Sequence, residues 1–209
     1  MRRLVLPALA ALALANGAMA QGRLQTGQST PPAGEQLAWP SKVDSCAFCH
    51  GDKGQSVNPR YPNLAALPAA YIETQLRAFA SGARRNPNMG PLAMQLGEPE
   101  IADLAAYYAR QPARPNPYAP GPKAMLTQGR KLAQAGGCAA CHGEAYTRMQ
   151  AFPRLAGQGA DYLARQLDAF AEGTRNEPSG MMKMVASART PAERRAIAAY
   201  LASLDPARR

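Results

Sequence analysis

CAFCH occupies residues 46–50, and CAACH occupies residues 138–142. These two stretches hold all four cysteines and both histidines of the 209-residue chain. Four cysteines could pair into two disulfides, and a lone Cys-x-x-Cys also suits a thioredoxin-like dithiol or half of a zinc site. The dithiol needs a βαβ surround, whereas this chain is rich in Ala, Gly and Pro and poor in β-branched runs. None of these chemistries explains a histidine directly after both pairs and nowhere else. Covalent attachment of a c-type haem does. Two thiols add across the vinyl groups on one porphyrin edge, the chain turns, and the next side chain meets the iron as a neutral imidazole. The sequence therefore predicts two covalently bound haem c groups. Cys46 and Cys49 would hold the first, with His50 on its iron; Cys138 and Cys141 would hold the second, with His142 on its iron.

The copies match well beyond the pentapeptides. Gly51 and Gly143 follow the histidines, YPNLAAL at 61–67 matches FPRLAGQ at 152–158, and AAYIETQLRAFASGAR at 69–84 matches GADYLARQLDAFAEGTR at 159–175. Similarity at a fixed period means a duplicated unit, here near 90 residues. A unit that small has little core of its own, and a large apolar cofactor makes up the shortfall. Residues 111–122 carry five prolines and read as a stiff, extended connector. The expected organisation is a first domain over 35–110, this linker, and a second domain over 123–209.

Both domains read as helical. Tyr71, Ile72, Gln75, Leu76 and Phe79 recur at three to four residues, with Gly82 as a stop, and Tyr162, Leu163, Gln166, Leu167 and Phe170 repeat the pattern. A third helix starts near Glu98 or Pro99 with Ile101, Leu104, Ala105 and Tyr108 on one face. Its partner opens on Thr190-Pro191-Ala192-Glu193, a capping box with proline at the first helical position. KAMLTQGRKLAQA at 123–135 forms a helix leading into CAACH, while Pro40 shortens the equivalent lead-in of the first domain.

With no histidine spare, the far side of each iron needs another ligand. RRNPNMGPLAMQLGEPE carries Met89 and Met94, and RNEPSGMMKMVASARTPAE carries Met181, Met182 and Met184. A thioether favours ferrous iron and raises the reduction potential. Ala105-Ala106-Tyr107 lies 93 residues before Ala198-Ala199-Tyr200, and the same offset pairs Met89 with Met182. Those two are the expected sixth ligands, with Met181 and Met184 as the alternatives in the second loop. Pro62 and Pro153 follow their histidines at 12 and 11 residues, and their carbonyls are the expected acceptors for the second imidazole N–H. Leu64 and Leu155 would then face the haem.

The N-terminus MRRLVLPALAALALANGAMA has the charged start, apolar middle and small-residue exit of a secretory signal over 1–20, followed by a loose leader over 21–34. Export to the periplasm follows. The formal charge of +10 is uneven: residues 35–118 hold eight Lys or Arg against seven Asp or Glu, and residues 119–209 hold 13 against seven. That asymmetry suits an acidic redox partner or an anionic membrane surface. The arginines are scattered through the second half, Arg175 and Arg194 among them, and neither this pattern nor export suits nucleic acid.

The chain resembles cytochrome c4, the exported dihaem member of the class I c-type cytochromes. The likeness rests on CAFCHG and CAACHG, on FPRLAGQGADYLARQLDAFAEGTR, on the methionine loops, and on LAAYYA with IAAYLA. It implies an all-α chain of two tandem class I cytochrome c domains, each wrapped around one haem, packed about a pseudo-twofold axis. It further implies an electron carrier rather than an enzyme. Its partners would be a terminal oxidase, a quinol–cytochrome c oxidoreductase or a periplasmic dehydrogenase; the electron-transfer subunit of a periplasmic oxidoreductase is the alternative. Ala66-Leu67 departs from the Gly-Gln this family places after Leu64, and Arg189 stands where leucine is usual.

Overall fold

The structure, a computed structural model, describes residues 42–118, 121–147 and 152–207. The signal segment 1–20, the leader 21–34 and the Pro40 interruption lie outside the described residues. The regular structure among those described is a short 3-10 helix, Asp52–Gly54, and nine α-helices: α1 Lys42–His50, α2 Ala69–Ala80, α3 Met89–Ala93, α4 Glu98–Arg110, α5 Lys123–Ala135, α6 Ala139–His142, α7 Ala160–Glu172, α8 Met181–Ser187 and α9 Pro191–Ser203. None of them is long and apolar enough to cross a membrane.

The helix ends follow from local chemistry. At α9, Thr190 Oγ1 accepts from the Glu193 N–H at 3.3 Å while the Glu193 carboxylate accepts from the Thr190 N–H at 2.7 Å, closing the expected box. Helix α7 stops at Gly173, whose φ of 72° is left-handed, a conformation that only glycine adopts freely.

Two hydrophobic cores form. In the first half, Val43, Leu67, Ile72, Leu104, Ala105 and Tyr108 bring α1, α2 and α4 together. In the second, Ala133, Tyr146, Leu163, Ile197, Ala198 and Leu201 join α5, α7 and α9. Helices α5 and α9 cross closely at Gly129, where a Cβ would come within 2.0 Å of the Ala196 carbonyl oxygen. Side chains at that point would push the helices apart.

Two features differ from the sequence reading. The methionine loops contain the short helices α3 and α8. Their first turns are held by preceding side chains: Asn86 Oδ1 accepts from Met89 N at 2.9 Å, and Glu177 Oε1 accepts from Met182 N at 3.0 Å. The second difference concerns charge. Arg154, Arg175 and Arg194 are buried rather than spread over the surface. Arg194 pairs with Asp168 at 2.5 Å and donates to the carbonyls of Arg189 and Ala186, so it ties α9 to α7 and to the end of α8. Arginine can go inside when its fork of donors meets carbonyls or a carboxylate, which a count of charges along the sequence does not reveal.

Candidate haem sites

Each histidine ends a helix. Directly after His50 and His142 come Gly51 and Gly143, with φ of 74° and 81°. A Cβ at Gly51 would lie 1.8 Å from the Gln55 carbonyl oxygen, so the sharp turn that frees the histidine from its helix needs glycine. Both imidazoles are buried. His50 Nδ1 donates to the Pro62 carbonyl at 2.9 Å, and His142 Nδ1 donates to the Pro153 carbonyl at 2.9 Å. Burial pulls both pKa values down, and the carbonyl bonds offset part of that shift. A neutral ring whose Nδ1–H is committed presents Nε2 as its lone pair, the state a metal requires. The rings of Tyr61 and Phe152 stand edge-on to the two imidazoles, at 6.3 Å and 6.0 Å between centroids, and fix their tilt. The matching positions of these aromatics were visible in the repeat, but their role was not.

The four cysteines are not joined in disulfides. No cluster of three or more His, Cys, Asp or Glu able to hold a metal exists among the described residues, so the two pairs do not converge on one ion. Burial pushes the Cys46 and Cys138 thiols up. A tyrosine packs beside each of them, delivered from different places. In the first half it is Tyr108 of α4. In the second it is Tyr146, in the loop after α6, while the place of Tyr108 is taken by Leu201. The backbone proves the equivalence. Leu64 N and Ala65 N donate to Gly54 O, as Leu155 N and Ala156 N donate to Tyr146 O; Ala66 N donates to Tyr108 O, as Gly157 N donates to Leu201 O. Each tyrosine meets a second one edge-on, Tyr107 at 5.1 Å and Tyr200 at 6.1 Å.

His50 and Cys46 line a cavity of about 1280 Å³ that runs from Leu64, Ile72, Leu104 and Met89 of the first half to Tyr162, Gln166 and Arg175 of the second. A largely apolar chamber with a neutral imidazole and a cysteine in its wall fits a haem. Met89 and Met182 are half-buried, whereas Met94, Met181 and Met184 are 72%, 47% and 62% exposed. The two methionines that the 93-residue offset pairs are therefore the less exposed ones in their loops. Leu64 borders the first cavity, and Leu155 packs against the second core.

The halves grip each other through side chains that recur in both. Arg84 reaches Tyr162 OH at 3.2 Å and Gln166 Oε1 at 2.6 Å, and Arg175 reaches Tyr71 OH at 2.9 Å and Gln75 Oε1 at 3.2 Å. Each guanidinium also stacks over a phenylalanine of its own half, Phe79 or Phe170, at 4.5 Å. A buried second contact joins Asn63 to Gln158 and Gly157: Asn63 N donates to Gln158 Oε1 at 2.6 Å, Gln158 Nε2 to Asn63 O at 2.9 Å, and Asn63 Nδ2 to Gly157 O at 2.9 Å. Sequence spacing assigned Tyr71, Gln75, Tyr162 and Gln166 to the inner helix faces; it gave no sign that they meet across the halves.

Comparison with known proteins agrees with this geometry. The cytochrome c family model matches twice, over residues 33–110 and 126–205. Cytochrome c4 of Thiocapsa roseopersicina is 37% identical over 189 residues, covering 85% of this chain and 96% of that protein. The thiosulfate dehydrogenase electron acceptor of Thiomonas intermedia (strain K12) is 38% identical over 179 residues, covering 79% of this chain and 81% of that protein. The solved structure of reduced recombinant cytochrome c4 from Pseudomonas stutzeri superposes with a TM-score of 0.72 at 28% identity, covering 82% of this chain and 96% of that one. Two buried histidines held by proline carbonyls, each closing a Cys-x-x-Cys, thus sit in a chain that belongs to the cytochrome c family as a dihaem c-type cytochrome of the cytochrome c4 group.

Proposed function

We propose that this dihaem electron carrier works in the periplasm, passing single electrons between respiratory partners. The observation that carries the reading is a buried, carbonyl-held histidine closing the Cys-x-x-Cys of each half, with a half-buried methionine at the same offset in each methionine loop. When bound, each haem supplies an iron that cycles between ferric and ferrous states. The protein's part would be to hold that iron through a histidine and a methionine, which would leave electron transfer as its chemistry. His50 with Met89 and His142 with Met182 are the assigned axial pairs; Cys46, Cys49, Cys138 and Cys141 are the attachment points. Domains over 35–110 and 123–209, joined by the linker 111–122, each carry one haem, and residues 1–20 act as the export signal.

Absorption spectra of both redox states, with and without carbon monoxide, test the assignment. Two haems per chain, methionine–iron absorption from both and no carbon monoxide adduct are expected. Met89→Ala should open the first haem alone to carbon monoxide and lower its potential, and Met182→Ala the second. Opening by Met184→Ala instead would overturn the ligand choice in the second loop.

Electrons are proposed to leave toward a terminal oxidase and to arrive from a quinol–cytochrome c oxidoreductase or a periplasmic dehydrogenase. The second reading is an acceptor subunit of a periplasmic oxidoreductase, favoured by the similarity to a thiosulfate dehydrogenase electron acceptor. Docking is assigned to the second half, where Lys131, Lys183 and Arg195 are exposed and Lys183 lies between the exposed Met181 and Met184. Exposed positive charge of this kind suits an acidic partner, whose long-range attraction is screened over about 8 Å at physiological salt. Lys183→Glu with Arg195→Glu should slow encounter more than Lys53→Glu with Arg85→Glu, and the difference should shrink as salt is added. Stopped-flow reduction kinetics at several ionic strengths would read both effects.

A further inference from the structure

Arg154 stands where the first half has Asn63, one residue after the proline whose carbonyl holds His142. Its side chain is 2% exposed, one of the largest wholly buried groups in the protein. Nη2 donates across the halves to the Ala65 carbonyl at 2.9 Å, and Nη1 donates to the Ala156 carbonyl of its own half. Nε has no partner. The ion pairs among the described residues are Lys42–Glu100, Arg77–Glu73, Arg77–Glu98 and Arg194–Asp168, and Arg154 belongs to none.

A buried cation with only carbonyl partners is costly, and an apolar side chain of similar volume would fill the space without that cost. The guanidinium is held between two matched points. Ala65 lies three residues beyond Pro62, and Ala156 lies three residues beyond Pro153. These are the turns that fix His50 and His142. Burial lowers the guanidinium pKa to about 10, which leaves it charged at neutral pH. A positive charge there opposes the extra positive charge of a ferric centre and favours the ferrous one.

We propose that Arg154 is a positioning residue shared by both haems: it clamps the two histidine-holding turns together, and its buried charge raises the reduction potential in both halves. The proposal rests on the axial assignment above, and haem count and ligand spectra read that assignment separately.

The test is a spectroelectrochemical titration of the holoprotein with Arg154→Met and Arg154→Lys. In the Met variant, both haems should remain attached with their methionine–iron absorption. Each reduction equilibrium should fall by roughly tenfold, which is 59 mV for a one-electron couple. The Lys variant, which keeps the charge and loses the fork, should recover most of both potentials. Arg154→Gln, polar and neutral, should repeat the loss if the Met variant does not load haem. Unchanged potentials in a fully loaded neutral variant would overturn the proposal. So would an equal loss in the Met and Lys variants, which would mean packing without charge. A shift confined to one haem would overturn the shared role.

Discussion

The space beside Cys46 is filled from α4 by Tyr108, and the space beside Cys138 is filled by Tyr146 from the loop after α6. Both halves bury an aromatic ring beside the first cysteine of the motif and stack a second ring edge-on against it. They reach that state by exchanging two positions at once. The first half has Gly54 and Tyr108; the second has Tyr146 and Leu201. A Cβ on Gly54 would lie 2.8 Å from the Tyr108 ring and 2.9 Å from the Ala65 backbone nitrogen, so a side chain there needs both a smaller helix residue and a shift of the neighbouring turn. The packing requirement belongs to the site, and the residue that meets it does not.

Gly54→Tyr is the most disruptive way to break this comparison. Alone it should cost about 3 kcal/mol, because the new ring meets Tyr108. Adding Tyr108→Leu should return at least half of that loss by rebuilding the second-half arrangement. Denaturant unfolding of the two single variants and the double variant gives the coupling directly. Simple additivity of the two costs would show that the sites are not exchanging one volume.

A smaller effect is expected at the contact between the halves. Asn63→Ala removes the Nδ2 bond to Gly157 and leaves Ser56 N, now held by Asn63 Oδ1 at 2.7 Å, without its acceptor. Loss of about 2 kcal/mol is expected, since buried donors and acceptors would be left unpaired. Proteolysis within the linker should speed up as the halves loosen. An unchanged unfolding midpoint would mean that the Arg84 and Arg175 contacts suffice.

The smallest effect has the opposite sign. Ala66 has φ 54°, and its counterpart Gly157 has φ 68°. A non-glycine residue in the left-handed region is strained by about 1 kcal/mol. Ala66→Gly should therefore raise the unfolding midpoint, while Gly157→Ala should lower it. The second change is the more costly, because a Cβ at Gly157 would lie 2.9 Å from the Pro206 ring.

The contrast between halves also marks what could be read in advance. Helices α2, α4, α5, α7 and α9 were legible because apolar residues at three- to four-residue spacing, a capping box and terminal glycines are local signals. The histidines, cysteines and the offset between Met89 and Met182 were legible because a duplicated sequence exposes whatever recurs. Residues whose roles depend on partners far along the chain were not. Tyr108 and Tyr146 occupy unmatched positions, so alignment of the repeats hides their shared place. Arg175 and Arg194 counted only as scattered charge, and Arg154 was not singled out, until the fold supplied carbonyls, tyrosines and Asp168 around them. The short helices α3 and α8 escaped because Asn86 and Glu177, which support their first turns, differ between the copies.

One contact set has a bearing on how such a chain could arise. Arg84 touches Tyr162 as Arg175 touches Tyr71, and the two glutamines trade places in the same way. Each half thus presents the same patch and receives the same patch, which is the rule for an isologous homodimer. Such a surface is complementary to itself before any linker exists. Two separate single-haem chains could have met through it, and fusing their genes would then have needed no new interface. The unlike residues at 63 and 154 are what only a fused pair can afford, since a homodimer must place the same side chain on both sides.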